Sequence, residues 1–217
     1  MPKLKRSPGD PRGGTDFIES LDRGLRVFEL FGADPRPMTL SDLAKAADLP
    51  RGRGDGQPVR LLAELTNEDD VVALFVATEG AKYLVASNTG HGFVVAGAEL
   101  NAEKRTGKQI LNLKPGEEAA LCVLAEGDHV AVIGTNRRLL VFPLDQVPEL
   151  ARGAGVILQR YKEGSMADLK VFRLAEGLTW KLGDKMRTET NLRDWLGERA
   201  QTGRMPPNGF PRSGRFG

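Results

Sequence analysis

The chain has 217 residues and a net charge of only +2, from 31 Lys and Arg against 29 Asp and Glu, so its overall charge does not establish a nucleic-acid partner. The lone Cys122 excludes an intramolecular disulfide framework, and its apolar neighbours predict a buried, reduced thiol. No apolar run approaches the roughly 18 residues of a membrane span, and no secretory signal follows the basic N-terminus, so we expect a cytoplasmic protein without membrane contact.

The first quarter of the chain has a helical pattern. Residues 1–14 are expected to form a disordered leader, and residues 15–50 a partial helix-turn-helix-like segment. Gly32 is placed to end the first helix, and Thr39–Asp42 offers a capped start to a second, shorter one. The apolar stripe of the first helix consists of Phe17, Leu21, Leu25, Phe28 and Phe31.

After Pro58 the apolar period changes from about 3.6 residues to two, which predicts β-structure. We expect propeller-like blades of four antiparallel strands, two of them between residues 70 and 175. Residues 193–217 are expected to form an extended basic tail, whose Pro and Gly residues also allow disorder. The predicted strands are 71–77, 83–86, 92–95, 109–113, 120–124, 130–133, 138–142, 156–159 and 169–172.

A basic, Gly-containing turn followed by an apolar strand occurs twice, in Glu103–Gly116 and Ala151–Gly164. A motif that recurs after roughly 50 residues is typical of a repeat architecture. Because cations beside tight turns can meet phosphate without being buried, we predict one curved stripe that binds nucleic acid, with a merely solvated surface as the alternative. The predicted binding residues are Lys104, Arg105, Lys108, Lys114, Arg137, Arg138, Arg152, Arg160 and Lys162.

The helical segment resembles the N-terminus of IclR-type transcription regulators, through Asp16–Phe28 and Met38–Ala44. In that family the recognition helix would follow directly after Pro50. Residues 51–58 instead contain three Gly and one Pro, a poor composition for a helix in a major groove. A regulator fragment that binds DNA through residues 15–50 is therefore the alternative function.

The rest of the chain resembles the C-terminal part of the A subunit of bacterial topoisomerase IV, a family that includes the A subunit of gyrase. This resemblance implies a mainly β fold, a partial β-pinwheel over residues 51–192, that binds and bends duplex DNA in a sequence-tolerant way on its outer rim. The strongly basic box of gyrase-type domains is degraded at Glu103–Gln109, which implies weaker wrapping of DNA. The motifs are 54–61, Arg105–Gln109, Leu140–Leu144, Arg152–Val156, Arg193–Ala200 and Pro206–Pro211.

The resemblance also implies an accessory, non-catalytic part of an ATP-dependent type II topoisomerase. In this family the DNA-cleaving tyrosine lies upstream of the pinwheel, so Tyr161 is expected to be structural and no catalytic residue is expected here. No Cys pair or Glu/Asp cluster has metal-ligand spacing, so no metal site is expected. Magnesium and ATP would serve the complete enzyme.

The implied partners are duplex DNA, the B subunit of topoisomerase IV and the catalytic part of its A subunit, in the bacterial nucleoid. In this interpretation the helical residues before 51 are a leader foreign to the pinwheel. A third interpretation is an interaction module whose basic stripe meets an acidic protein.

Overall fold

The computed structural model describes residues 25–27, 29–33, 37–38, 40–47, 65, 68–76, 78, 80–104 and 106–217. The chain divides into two compact units, residues 1–76 and 77–217, which are described separately. The predicted disordered leader, the beginning of the first helix and the junction at residues 48–64 lie outside the described residues. The predicted boundary near residue 50 therefore stays a prediction.

The first unit contains two helical stretches. Residues 25–27 and 29–33 are helical, and helix α1 spans Leu40–Ala46. Phe31, Leu43 and Ala47 are buried, as the apolar pattern requires of a helical core. Leu25, a member of the predicted apolar stripe, is 53% exposed.

The strand predicted over residues 71–77 is wrong for the described residues 71–76. Only Leu74 forms a bridge: its N–H donates to the Met38 carbonyl at 2.7 Å, and the Met38 N–H donates to the Leu74 carbonyl at 3.0 Å. An alternation of apolar side chains does not suffice for a strand, because each backbone group also needs a partner on a neighbouring segment.

Within the described residues, the second unit contains nine strands and three short 3₁₀ turns. The turns are Gly97–Leu100, Leu144–Gln146 and Leu174–Glu176. The strands are β1 Lys82–Ser87, β2 His91–Ala96, β3 Ala119–Leu124, β4 His129–Gly134, β5 Leu139–Pro143, β6 Val156–Ile157, β7 Met166–Phe172, β8 Leu178–Leu182 and β9 Lys185–Glu189.

The strands form three antiparallel sheets, in the orders β3-β1-β2-β6, β5-β4-β7 and β8-β9. Two hairpins stand at the centre of the first two sheets: Lys82 pairs with Ala96 in one, and His129 with Pro143 in the other. The predicted mainly β, blade-like fold with helix near the N-terminus is confirmed.

The expectation of four strands in each blade is correct for the first sheet and wrong for the second. In the second sheet the fourth position is held by residues 195–204, through bridges from Val141 to Leu196 and from Leu139 to Arg204. No regular strand forms there, because the intervening Ala200 has a left-handed backbone with φ of 67°. Similarly, the strand predicted over 109–113 is reduced to one bridge at Leu111.

The second sheet is covered by apolar residues on both faces. Val130 and Val132 of β4 belong to the core cluster shared with the first sheet, whereas Ala131 and Ile133 belong to the cluster shared with β8. All four residues have no exposed surface. This explains why β4 reads as a continuous apolar run rather than as a polar-apolar alternation.

The third hairpin and the residues after it pack together. The Trp180 indole N–H donates to the Gly209 carbonyl at 3.1 Å, and the Trp180 ring lies 5.3 Å from that of Phe210. Phe210 and Phe216 are 5% and 4% exposed. The expectation that the composition of residues 193–217 allows disorder is therefore corrected: the segment is extended but anchored by buried aromatic rings.

No helix in the described part of the chain has the length and apolar character needed to cross a membrane.

Candidate nucleic-acid interface

The second unit has three long loops, of which the first two carry most of the predicted DNA-binding residues. The first loop, residues 101–118, leads into β3; the second, residues 147–165, contains β6 and leads into β7; the third, residues 190–217, follows β9. The two copies of the basic motif lie in the first and second loops. Gly107 and Gly155, at the same place in each copy, both have a left-handed backbone. The copies are therefore equivalent parts of successive repeats.

The first and second loops lie side by side. The Asn112 N–H donates to the Gly153 carbonyl at 2.8 Å, and the Gly153 N–H donates to the Ile110 carbonyl at 3.0 Å. The exposed Arg152 guanidinium donates to the side-chain oxygens of Asn112 at 3.2 Å and of Gln109 at 3.4 Å. Arg152, predicted to bind DNA, thus also fastens one loop to the next.

The second and third loops make the same contact 47 or 48 residues further along the chain. The Arg160 N–H donates to the Gln201 carbonyl at 3.1 Å, and the Ala200 N–H donates to the Leu158 carbonyl at 2.9 Å. One repeated backbone contact therefore joins the three loops in order and places their cations on neighbouring segments.

Arg199 occupies the place in the third loop that Arg152 occupies in the second. Its guanidinium donates to the Ile157 carbonyl at 2.7 Å, and it is only partly exposed. Sequence reasoning places Arg199 only in the basic tail. The spacing of 47 residues from Arg152 is the signal that could have identified it as a second fastening residue.

In the first loop the predicted cations differ in how far their charge is compensated. Lys104 is exposed, whereas the Lys108 ammonium lies 2.7 Å from the Glu99 carboxylate. Lys114 is exposed, and its backbone N–H donates to the Glu117 carboxylate at 2.9 Å. This hydrogen bond and the one from the Thr89 hydroxyl hold the pKa of Glu117 below its ordinary value. Arg105 lies outside the described residues.

The hairpin turn between β4 and β5 adds two more predicted cations. Arg138 is exposed; Arg137 is partly buried and donates to the Pro211 carbonyl at 3.4 Å. Arg160 and Lys162 of the second loop are exposed.

Arg204 is an exposed cation that sequence reasoning leaves out of the site. Its N–H and carbonyl pair with the Leu139 backbone at 2.9 and 2.7 Å, which places it one residue from Arg138 in the ladder. Arg204 could not be assigned to the site from the sequence, because it lies in a Pro- and Gly-rich tail and nothing local in the sequence indicates that this tail returns to β5.

Tyr161 packs between the two central hairpin turns rather than facing a cleft with acidic neighbours. A Cβ atom added at Gly90 would lie 2.7 Å from the tyrosine ring, and one added at Gly134 would lie 2.6 Å from it. The Tyr161 hydroxyl is buried without a hydrogen-bond partner in the described part of the chain, and burial raises its pKa above the ordinary value. This environment does not activate a nucleophile.

The side chains of both histidines form hydrogen bonds to near neighbours in the sequence. A ring nitrogen of His91 lies 3.2 Å from the Thr89 hydroxyl, and a ring nitrogen of His129 lies 2.8 Å from the Asp128 carboxylate. The hydrogen bonds from His129 and from the Leu174 N–H lower the pKa of Asp128. Among the described residues, no three His, Cys, Asp or Glu side chains are grouped as a metal site requires. Residues 89–93 contain two glycines but form no phosphate cradle between a strand and a helix: they are the end of the turn between β1 and β2 and the start of β2.

Two family models match the chain. The model of the DNA gyrase C-terminal domain, a β-propeller, matches residues 82–120 and 128–166. The first of these segments runs from β1 to the start of β3, and the second runs from β4 to the start of β7. The family model therefore finds the same repeat as the structure. The model of the IclR helix-turn-helix domain matches residues 20–53.

Curated relatives give the same assignment. The A subunit of DNA topoisomerase 4 from Rickettsia bellii (strain RML369-C) is 40% identical over 171 residues, which are 79% of this chain and 23% of that protein. The A subunit of DNA topoisomerase 4 from Caulobacter vibrioides (strain ATCC 19089 / CIP 103742 / CB 15) is 37% identical over 215 residues, 99% of this chain and 27% of that protein. The chain thus spans about a quarter of the length of these relatives, and the second alignment also covers the helical segment.

A solved structure resembles the fold. The E. coli ParC C-terminal domain superposes with a TM-score of 0.60 and 26% identity, over 74% of this chain and 69% of that chain. Taken with the repeated hairpins and loops, these matches show that the chain belongs to the A-subunit family of bacterial topoisomerase IV, and that its second unit has the fold of the C-terminal β-pinwheel region of that family.

Proposed function

We propose that this chain binds duplex DNA in a sequence-tolerant way and presents or bends it for a type II topoisomerase. The observation that carries this proposal is the repeated backbone contact that sets the first, second and third loops side by side. Because each loop carries exposed Lys or Arg, the contact creates one stripe of cations rather than isolated charges.

The stripe suits the DNA backbone rather than particular bases. Its cations lie on loops and on a hairpin turn, and the described residues present no helix long enough to lie along a major groove. Contacts to phosphate supply affinity and orientation but carry no sequence information. The stripe is therefore expected to accept many sequences and to favour DNA that curves with it.

Within a complete enzyme this region would act as an accessory part. The partners we propose are the catalytic part of the A subunit and the B subunit of topoisomerase IV, in the bacterial cytoplasm at the nucleoid. ATP and magnesium would be used by that complete enzyme, and we assign no cofactor and no catalytic residue to this chain.

A fluorescence anisotropy titration tests the proposal. The probes are two short fluorescein-labelled duplexes of unrelated sequence, and the titrations are repeated over a range of KCl concentrations. Similar affinity for both duplexes, falling steeply with salt, is expected. Absence of binding at low salt, or strong preference for one duplex, would contradict it.

The match of residues 20–53 to the IclR helix-turn-helix domain favours a second candidate, a regulator fragment that binds an operator. The two functions predict opposite outcomes for a chain that lacks residues 1–50. Under the first proposal this chain still binds both duplexes with the same salt dependence. Under the second, binding is lost, while alanine substitution of Lys104, Arg105 and Lys108 leaves it intact.

A further inference from the structure

We infer that Arg138, Arg160 and Arg204 form one phosphate-binding cluster for the DNA backbone and that Gln159 is the positioning residue that assembles it. This inference rests on the proposed DNA binding and adds the residues of one contact point, including Arg204. The cluster joins the hairpin turn between β4 and β5 to the second and third loops.

Gln159 is a wholly buried polar side chain where these three segments meet. Its amide nitrogen donates to the carbonyl oxygens of Arg138 and Thr202, both at 2.9 Å. Its amide oxygen has no hydrogen-bond partner among the described residues. Burying an amide oxygen without a partner costs free energy. The cost is explained if the two hydrogen bonds of the amide nitrogen fix the positions of the β4–β5 turn and the third loop.

Each arginine is held next to this amide by its backbone. Arg138 accepts from Gln159 directly, Arg160 follows Gln159 and donates its N–H to the Gln201 carbonyl at 3.1 Å, and Arg204 pairs with Leu139. Leu139, which follows Arg138, exchanges both backbone hydrogen bonds with Arg204, and the Cα atoms of residues paired in this way lie about 5.5 Å apart. The three long side chains therefore start from neighbouring points.

The glycine before Arg204 lies against both the Leu139 carbonyl and the Gln159 amide. Gly203 has a φ of +75°, and a Cβ atom there would lie 2.9 Å from the Gln159 amide nitrogen. A side chain at this position would be disfavoured both by the backbone and by contact with the amide. Gly203 thus lets the third loop close over Gln159 and turn Arg204 outward.

The side chains of the cluster are exposed, and none forms an ion pair with a carboxylate in the described part of the chain. Asp194 lines the same cleft as Arg204 without pairing with it. Guanidinium groups present planar forks of N–H donors that match phosphate oxygens. A phosphodiester group is therefore the ligand that this chemistry fits.

The test measures binding of the full chain to a fluorescein-labelled duplex across a KCl series. Replacing one phosphate-contacting arginine should lower the negative slope of log K against log salt by about 0.9. We expect this for R138A, R160A and R204A. The control is R173A. Arg173 is exposed, follows the last residue of β7 and pairs with Glu176 at 3.3 Å, away from the cluster. The salt slope of R173A should equal that of the unmodified chain.

Gln159 is tested with Q159M, which keeps the size of the side chain and removes its donor, and with the shorter Q159N, which cannot span both carbonyls. Each should reduce the salt slope although no charge is lost. The double variant Q159M/R204A should bind no more weakly than the weaker of its two parents, because both changes act on the same contact. A residue that merely supports the fold would give additive losses instead.

The outcomes separate the two levels of the proposal. If the unmodified chain does not bind DNA, the proposed function fails. If it binds while R204A keeps the full salt slope, the cluster is wrong and the proposed function stands. Should Q159M not fold, as judged by circular dichroism, Q159N decides the role of Gln159: an unchanged slope in a folded Q159N chain overturns it.

Discussion

The carboxylate of Asp168 in β7 accepts the backbone N–H of Phe216 at 2.8 Å, and the Phe216 carbonyl in turn accepts the N–H of Lys181 in β8 at 2.7 Å. Asp168 thereby links the second sheet to the third hairpin through the chain's last residues. Burial raises the pKa of the Asp168 carboxyl above its ordinary value, despite the N–H groups of Phe216 and Leu169 that donate to it.

We predict that D168N lowers the free energy of unfolding at neutral pH by about 1–3 kcal/mol, because the amide nitrogen cannot accept one of these N–H groups. The raised pKa means that the folded state binds the proton more readily than the unfolded chain. The contribution of Asp168 to stability therefore grows as the pH falls through its folded pKa and is complete below its unfolded pKa. Urea unfolding of both chains at several pH values measures this. An advantage of the unmodified chain that shrinks toward acidic pH would contradict the prediction.

The triple variant K104A/R105A/K108A tests the first loop. If the three cations meet phosphates, the negative slope of log K against log salt falls by roughly two to three, at similar cost for every sequence. A decrease of about two would fit the structure best, because Lys108 is already compensated by Glu99. Gel shifts across a salt range give the slope, and an unchanged slope would remove the first loop from the DNA-binding stripe.

Cys122 should react slowly with thiol reagents in the folded chain and rapidly in denaturing urea. Cys122 lies in β3, where its side chain is half-buried rather than fully buried as the sequence predicts, and this burial raises the pKa of its thiol from 9.0 to about 12. Between these two values the unfolded chain loses the thiol proton while the folded chain keeps it, so stability should fall as the pH rises, by up to about 1.4 kcal/mol per pH unit. The variant C122A should lack this part of the alkaline loss. Equal slopes for both chains would argue against a buried thiol.

Tyr161→Phe should leave DNA affinity unchanged and change the free energy of unfolding by less than about 1 kcal/mol, since the buried hydroxyl has no partner among the described residues. Tyr161→Ala should cost about 3 kcal/mol or more, because the ring fills the space between the two hairpin turns. Thermal unfolding and anisotropy titration measure both effects. A covalent DNA adduct trapped at Tyr161 in the presence of ATP, magnesium and supercoiled plasmid would reverse its assignment as structural.

The strands that could be predicted from the sequence are those that contain a continuous apolar run, whereas β8 and β9 are not predicted. β1, β2, β4 and β5 all contain apolar runs bounded by turn residues, and the pattern predicts each within a few positions. The pattern misses β9 because four of its five residues are exposed, so its sequence carries no apolar alternation. β8 does carry an alternation of apolar and polar residues, with Leu178 and Trp180 buried, and this short alternation could have identified it.

The candidate site was predictable only in part. Cations near the repeated turns stand out by composition, whereas the contacts that bring them together depend on loops distant in sequence. Gln159 lies between Leu158 and Arg160 and has no local mark of its role. Only the return of the third loop to Leu139, seen in the fold, shows that its amide joins three segments.

The spacing of the loop-to-loop contact determines which insertions the fold can accept. Asn112 meets Gly153 as Arg160 meets Gln201, so the second loop carries both the groups that bind the next loop and those that bind the previous one. An in-frame tandem duplication of one repeat would therefore insert a blade whose backbone partners are already in register. Shorter insertions between Ile110 and Asn112 would shift that register and separate neighbouring blades.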